Sequence, residues 1–252
     1  MIYFSYYTRD RSGAQILDIL YNYYYCFKNN IYYGGPVSKK RYNNNYCYMV
    51  AKINTEKLIT FLNIPNIEKK NECESKIIDS KYQEFSIEFL ELLHNSCKPN
   101  LINIKEKKND FIVCLHVRRG DVTENGRWGY RYTCDEYYFS LINEVQKYKP
   151  NAKIYLFSEK LNFKQEDINK YINMGCKLKL DTSLEEAFNY FIQCDIFIMA
   201  SSAFSIVPAL YKKHGLIIYT WNKYFTPLNN WISETNIEVK KKCNKKLLFR
   251  KK

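Results

Sequence analysis

Two adjacent arginines, Arg118 and Arg119, directly follow the apolar run "FIVCLHV" at residues 111–117. The planar guanidinium group of arginine can bind a phosphate through two parallel hydrogen bonds, and it stays charged at every working pH. A pair of arginines at the end of a strand therefore predicts a diphosphate clamp. If a sugar leaves a nucleoside diphosphate, negative charge grows on the departing phosphate. A prepositioned arginine stabilises that charge most strongly in the transition state, which is what catalysis requires.

The usual alternative to arginine in sugar transfer is a divalent metal held by an Asp-x-Asp pair. The sequence contains no Asp-x-Asp. We therefore expect no metal and no cofactor, with arginine neutralising the leaving group. The competing interpretation is structural, since Arg118 and Arg119 could simply pair with nearby carboxylates such as Asp121.

The elements that must position these arginines follow a regular order from residue 111 onward. Between amphipathic segments that predict helices, apolar runs predict strands at residues 111–117, 153–158, 176–180, 195–200 and 215–220. One of the helices begins with a capping box, in which Ser183 caps the helix and Glu186 reaches back. The alternation predicts an α/β protein whose C-terminal half is a parallel sheet with helices on both faces.

Ligands of such sheets bind at the carboxyl ends of the strands. Polar or charged residues follow three of the predicted strands immediately, and we expect them to meet in one crevice although they lie far apart in the sequence. These residues are Arg118, Arg119, Ser158, Glu159, Ser201 and Ser202.

The first hundred residues carry weaker patterns. Residues 1–7 and 31–35 predict strands, and residues 15–27 and 86–94 predict helices, whereas residues 66–82 are polar and show no clear period. The charged stretch 103–110 is the candidate linker. We therefore divide the chain into an N-terminal α/β domain at 1–105 and a C-terminal α/β domain with the basic tail at 106–252.

Charge and cysteine content restrict the class of protein. The formal net charge is +13, and part of it lies in the C-terminal stretch 239–252, "VKKKCNKKLLFRKK". We interpret that stretch first as a solvated tail and second as a patch for nucleic acid or a membrane surface. The nine cysteines form no C-x-x-C and indicate a reducing compartment. With no signal-peptide pattern or membrane span, we expect a cytoplasmic enzyme, and a removed N-terminal anchor is the alternative.

Three segments in order resemble a known family. They are "HVRRGD" at 116–121, "IYLFSE" at 154–159 and "DIFIMASSAFSIVPALY" at 195–211. Together they resemble the motifs of the fucosyltransferase superfamily that includes α-1,2-, α-1,6- and protein O-fucosyltransferases. A fourth segment, "RSGAQ" at 11–15, sits where that family has a glycine-rich loop ending in Asn-Gln. Here Ala14 stands in place of the asparagine and the preceding glycines are missing.

The resemblance implies a GT-B architecture, with two Rossmann-like domains facing across a cleft. The N-terminal domain at 1–105 would lie on the acceptor side, and the C-terminal domain at 106–252 would bind the nucleotide sugar. The resemblance also implies an inverting, metal-independent transfer of fucose from GDP-fucose to a glycan hydroxyl. Arg118 is then expected at the diphosphate, and Arg119 near it or structurally paired. His116 and Asp121 would shape the loop. The other residues implied to contact the donor or line the cleft are Ser158, Glu159, Asp181, Ser201, Ser202, Phe204, Ser205, Gly13 and Gln15.

Each of these assignments has a structural alternative. His116 and Phe204 could belong to the core, Ser201 and Ser202 could be helix caps, and Asp181 could be a cap or loop residue. Gly13 and Gln15 could lie in an ordinary turn.

The general base that would take the acceptor proton is open between three carboxylates, Glu124, Asp121 and Asp10. Glu124 follows the arginines closely enough to reach the cleft, but it could equally be a solvated loop residue.

Three alternatives remain for the function as a whole. The same fold and reaction could use another nucleotide sugar, the chain could be a basic nucleic-acid-binding protein, or it could be an inactive binding subunit. We expect a nucleotide sugar and a glycan acceptor as partners rather than nucleic acid. Two questions stay open: whether the tail makes weak contact with a membrane surface, and which oligomeric state the protein has.

Overall fold

The computed structural model describes residues 1–8, 10–38, 46–67, 75–77, 79, 84–104, 110–220 and 225–233. The chain divides into two compact units, Met1–Ile102 and Asn103–Lys252. The predicted boundary between residues 105 and 106 and the basic stretch 239–252 lie outside the described residues, so both interpretations stay predictions.

The first unit contains a three-stranded parallel sheet in the order β2-β1-β3. Its elements are β1 (Ile2–Tyr6), α1 (Ser12–Lys28), β2 (Tyr32–Val37), α2 (Tyr46–Leu62), β3 (Ser75–Ile77) and α3 (Ile87–Ser96). Close packing between β1 and β2 requires glycine at position 34, because a Cβ atom there would lie 2.6 Å from the ring of Phe4. An aromatic cluster joins α3 to α1, with the ring of Phe89 lying 5.0 Å from Tyr24 and 5.4 Å from Tyr23.

The second unit contains a six-stranded sheet in the order β6-β5-β4-β7-β8-β9, in which every neighbouring pair is parallel. Its strands are β4 (Ile112–His116), β5 (Lys153–Ser158), β6 (Cys176–Leu180), β7 (Ile196–Ile198), β8 (Leu216–Tyr219) and β9 (Ile232–Ser233). Its helices are α4 (Asp135–Tyr148), α5 (Gln165–Asn173), α6 (Leu184–Gln193) and α7 (Ala203–Tyr211). The chain builds outward from β4 in one direction, then returns and builds outward from β7 in the other.

Side chains of this sheet alternate between two helical layers. On one face, Val113 of β4 packs in a buried cluster with Ile142 of α4. On the other face, the ring of Phe191 in α6 lies 5.0 Å from Phe157 of β5 and 4.4 Å from Phe197 of β7. Strands covered on both faces require continuous apolar runs, and this is why the runs are visible in the sequence. The prediction of an α/β fold with parallel sheets is confirmed.

Helix α6 begins with half of the predicted capping box. The hydroxyl of Ser183 accepts a hydrogen bond from the backbone N–H of Glu186 at 3.1 Å. The carboxylate of Glu186 binds the ammonium of Lys179 at 2.9 Å. Among the described residues, the backbone N–H of Ser183 donates no hydrogen bond to the side chain of Glu186, so the second half of the capping box is not formed.

We expect Ser183→Ala to lower the free energy of unfolding by about 1 kcal/mol, because one N–H of the first turn loses its acceptor. Glu186→Gln, which weakens a partly exposed ion pair, should cost less than about 0.5 kcal/mol. Urea denaturation of both variants measures the difference. Equal losses would show that the hydroxyl does not cap α6.

Candidate active site

The strand order of the second unit reverses between β4 and β7, and the residues that follow these two strands lie side by side. Arg118, two residues after β4, donates a hydrogen bond from Nη1 to the hydroxyl of Ser202 at 2.8 Å. Ser202 follows β7 and caps α7, where its hydroxyl also accepts from the backbone N–H of Phe204 at 3.2 Å. In open parallel sheets, ligands bind at the carboxyl ends of the strands where the order reverses. The structure therefore places two of the sequence-predicted residues at the expected position for a ligand.

The remaining edge of the Arg118 guanidinium binds Asp121. Nη2 lies 2.9 Å from Oδ2 and 3.3 Å from Oδ1 of the carboxylate. The side chains are 13% exposed for Arg118 and 34% exposed for Asp121. Ion pairs that are open to water contribute about 0–1 kcal/mol, so a phosphate can displace this carboxylate at little cost. The structural alternative for Arg118 is thus present, and it is compatible with ligand binding.

Arg119 is buried and occupied on all sides. Its Nη2 lies 2.6 Å from Oδ1 of Asp135, and the two side chains are 3% and 9% exposed. Its Nη1 donates to the backbone oxygens of Arg118 at 3.0 Å and Thr133 at 3.3 Å, and its guanidinium carbon lies 4.4 Å from the ring centroid of Tyr132. This geometry corresponds to the structurally paired alternative, in which Arg119 fixes the backbone that carries Arg118.

Asp135, the first residue of α4, was not singled out by the sequence analysis. Its Oδ1 accepts the Arg119 guanidinium and also the hydroxyl of Tyr171 at 2.5 Å. Burial raises the pKa of the Tyr171 hydroxyl well above its ordinary value, and the negative charge and hydrogen bond of Asp135 raise it further. Tyr171 therefore remains the proton donor at physiological pH. The sequence did contain one sign of this role, because Asp135 is an acidic residue in the first turn of the helix that follows the arginines.

His116 and Ser205 form a buried contact between β4 and α7, and the half-buried ring of Phe204 packs against His116. Nδ1 of His116 lies 2.6 Å from the hydroxyl of Ser205, which also accepts from the backbone N–H of Ala200 at 3.1 Å. The ring of Phe204 lies 5.3 Å from His116 and 4.8 Å from Phe188. These three residues hold the two sides of the crevice together.

The residue after β5, Glu159, lies against the turn in which the arginines lie. Gly120 has φ of +74°, and a Cβ atom there would lie 1.6 Å from Oε2 of Glu159, so the carboxylate lies against the glycine. The backbone N–H of Asp181 donates to the carbonyl of Ser158 at 3.0 Å, and its carboxylate accepts from the N–H of Lys160 at 3.0 Å. The hydroxyl of Ser158 donates to the backbone oxygen of Glu159 at 3.0 Å. Glu159 reaches the arginine turn, whereas Asp181 is held at its own loop.

The other sequence-predicted candidates each lie in a local environment of their own. Ser201 is buried, and Glu124 is exposed on the connection between β4 and α4. Gly13 and Gln15 lie in the first turn of α1 in the first unit, where Nε2 of Gln15 donates to the backbone oxygens of Thr8 and Asp10 at 3.0 and 2.7 Å. Their roles toward a ligand stay predictions.

The described part of the chain holds no group of three or more histidine, cysteine or acidic side chains that could bind a metal ion. In the same residues, no helix has the length and apolar character needed to cross a membrane.

Comparison with known proteins identifies the family. Residues 52–236 match the profile of glycosyl transferase family 11, and this range is well over half of the sequence. The chain belongs to glycosyl transferase family 11. No curated protein matches the sequence significantly.

Two solved structures are similar to this family 11 chain. The E. coli heptosyltransferase WaaC with ADP is 9% identical, over 98% of this chain and 100% of that chain, with a TM-score of 0.52. POFUT1 in complex with GDP is 8% identical, over 84% of this chain and 94% of that chain, with a TM-score of 0.49. The likeness to WaaC shows the fold, which is that of GT-B glycosyltransferases.

Family membership confirms two predictions made from the sequence. The chain is a fucosyltransferase-like glycosyltransferase, and the segments that indicated the fucosyltransferase superfamily indicated it correctly. The family match covers all three of those segments, at 116–121, 154–159 and 195–211.

Proposed function

We propose that this family 11 enzyme transfers fucose from GDP-fucose to a hydroxyl of a glycan acceptor, with inversion and without a metal ion. The observation that supports it most is the hydrogen bond from Arg118 to Ser202, which joins the arginine motif to the cap of α7 where the strand order reverses. A diphosphate bound beside Arg118 and Ser202 meets one permanent positive charge and the N-terminus of α7. Both favour anions.

The two arginines have different roles in this proposal. Arg118 binds the diphosphate and stabilises the charge that develops on it as the fucosyl group leaves. Arg119 acts through the backbone, because its guanidinium holds the carbonyl of Arg118 and is itself held by Asp135. Ser205 has a positioning role, because its hydroxyl holds the ring of His116 at the end of β4.

Donor binding also changes the state of Asp121. When phosphate replaces Asp121 on the Arg118 guanidinium, the partly exposed carboxylate of Asp121 loses this ion pair beside the leaving group. Asp121 is therefore a candidate for taking the acceptor proton, together with the exposed Glu124 and Asp10.

Metal independence rests on the sequence, which has no Asp-x-Asp, and on the charge that Arg118 supplies. If the proposal is right, activity persists in EDTA. Loss of activity in EDTA that Mg²⁺ or Mn²⁺ restores would contradict it.

A thermal-shift panel tests the donor. A ligand that binds the folded protein at about 100 times its Kd stabilises it by about 2.7 kcal/mol, which gives a clear rise in Tm. We expect the rise with GDP and GDP-fucose, and no rise with UDP-sugars. ADP-heptose belongs in the panel because WaaC, which shares the fold, was solved with ADP. Stabilisation by ADP-heptose or a UDP-sugar instead of GDP-fucose would replace the donor in this proposal.

A further inference from the structure

The connection between β4 and α4 carries a group of two arginines and two aromatic residues, of which Arg127 and Tyr130 are exposed. The guanidinium carbons of Arg127 and Arg131 each lie 5.0 Å from the ring centroid of Trp128. Arg131 also lies 5.4 Å from the ring of Tyr130, which is 46% exposed. We refer to Arg127, Trp128, Tyr130 and Arg131 as the cationic aromatic cluster.

Backbone hydrogen bonds hold this cluster in a fixed shape. The N–H of Arg131 donates to the carbonyl of Trp128 at 2.8 Å, and the N–H of Gly129 donates to that of Gly126 at 2.9 Å. Gly129 is packed closely, because a Cβ atom there would lie 2.3 Å from the backbone oxygen of Glu124. The cluster is therefore a defined surface of the connection.

The same connection is tied to the arginine motif at its far end. Arg119 stacks on Tyr132 and donates to the carbonyl of Thr133, immediately after the cluster. Because the connection leaves the carboxyl end of β4, the cluster and Arg118 lie at the same edge of the sheet. A group bound by the cluster would therefore be near the candidate donor site.

The chemistry of the cluster fits an acidic sugar. An exposed guanidinium close to an aromatic ring, such as that of Arg127, is weakly hydrated, so a carboxylate or sulfate can bind its N–H groups readily. Among the described residues, no carboxylate lies within ion-pair distance of the exposed Arg127. The exposed ring of Tyr130 offers an apolar face on which the C–H face of a sugar can pack.

The geometry points to an acceptor subsite. The cationic aromatic cluster binds a sugar residue of the glycan acceptor that carries a carboxylate or sulfate group, and it orients that acceptor toward the donor. This inference rests on the proposed function, because an acceptor is needed at this edge only if a glycosyl group is transferred there. A nucleic acid fits the cluster less well, since two arginines on one turn do not form the extended basic stripe that a phosphate backbone follows.

Calorimetric titration of the full chain in the presence of GDP tests the subsite. The probes are lactose, 3′-sulfolactose and 3′-sialyllactose, with a single-stranded oligonucleotide as the competing class. We expect the two anionic sugars to bind about tenfold or more tightly than lactose, as charge-assisted hydrogen bonds predict. The relative affinities of the sulfated and sialylated sugars identify which anionic group is preferred.

Variants show whether the cluster causes that preference. The double variant Arg127→Gln/Arg131→Gln should lose most of the advantage of 3′-sulfolactose over lactose, and Arg127→Lys should keep part of it. Lys147→Gln is the matched control, because Lys147 is an exposed cation 5.7 Å from the ring of Tyr148 in the last turn of α4. It should leave the preference unchanged.

Failure of this inference is distinguishable from failure of the proposed function. If GDP-fucose stabilises the protein but lactose binds as well as the anionic sugars, the subsite is wrong and the donor assignment stands. No binding of either anionic sugar, an equal loss in Lys147→Gln, or tight oligonucleotide binding that needs Arg127 and Arg131 would also overturn the subsite. Absence of any GDP-fucose binding overturns the proposed function.

Discussion

Arg118→Ala is expected to lower the rate at which the enzyme cleaves the bond between fucose and GDP by about 100- to 1000-fold. This is the effect of removing one preorganised hydrogen-bond donor from a developing negative charge. The guanidinium already lies against Ser202 at the end of β7 before any ligand binds. No reorganisation is then needed as charge accumulates on the diphosphate. The loss should appear mainly in kcat, because the interaction strengthens as the bond to the sugar breaks.

Two companion variants separate charge from geometry. Arg118→Lys keeps the positive charge but loses the planar fork, so it should recover part of the activity. Asp121→Asn removes the competing carboxylate and should tighten GDP binding. Because the carboxylate of Asp121 is partly exposed, Asp121→Asn should change the free energy of unfolding by no more than about 1 kcal/mol. Unchanged GDP-fucose binding and turnover in Arg118→Ala would refute the diphosphate clamp.

Asp135→Ala is expected to lower the free energy of unfolding by about 3–5 kcal/mol, since it leaves the buried guanidinium of Arg119 without its counter-ion. Asp135 also accepts the hydroxyl of Tyr171 at 2.5 Å, so two buried donors lose their acceptor at once. Asp121→Ala removes the partner of the neighbouring arginine at a partly exposed position. It should cost about 1 kcal/mol or less. Urea denaturation with unchanged m-values measures both losses.

A double replacement distinguishes an unpaired charge from a general loss of packing. Arg119→Met/Asp135→Leu removes both charges of the buried pair, so it should be more stable than Asp135→Ala alone. Since Arg119 also holds the carbonyl of Arg118, the double variant should bind GDP-fucose more weakly even where it remains folded. Equal destabilisation by Asp135→Ala and Asp121→Ala would show that the buried pair has no special role.

The N-terminal half shows where sequence patterns were too weak to predict structure. Sequence patterns predict strands at 1–7 and 31–35 and a helix at 15–27, which correspond to β1, β2 and α1. No pattern predicted α2. Residues 66–82 show no clear period, although the three-residue β3 in this range pairs with β1. A strand of three residues is too short to show a period, and it is defined by the partner strand rather than by its own sequence.

By itself, the sequence determined the parallel α/β architecture of residues 111–220 and the family. Strands buried on both faces must be continuously apolar, and the residues after them must lie at one edge of the sheet. Only the tertiary structure decided which arginine is available. Arg118 and Arg119 are chemically identical neighbours, but one meets Ser202, 84 residues away, and the other meets Asp135, 16 residues away. Partners so distant in the chain are set by strand order and helix placement, which local patterns do not encode.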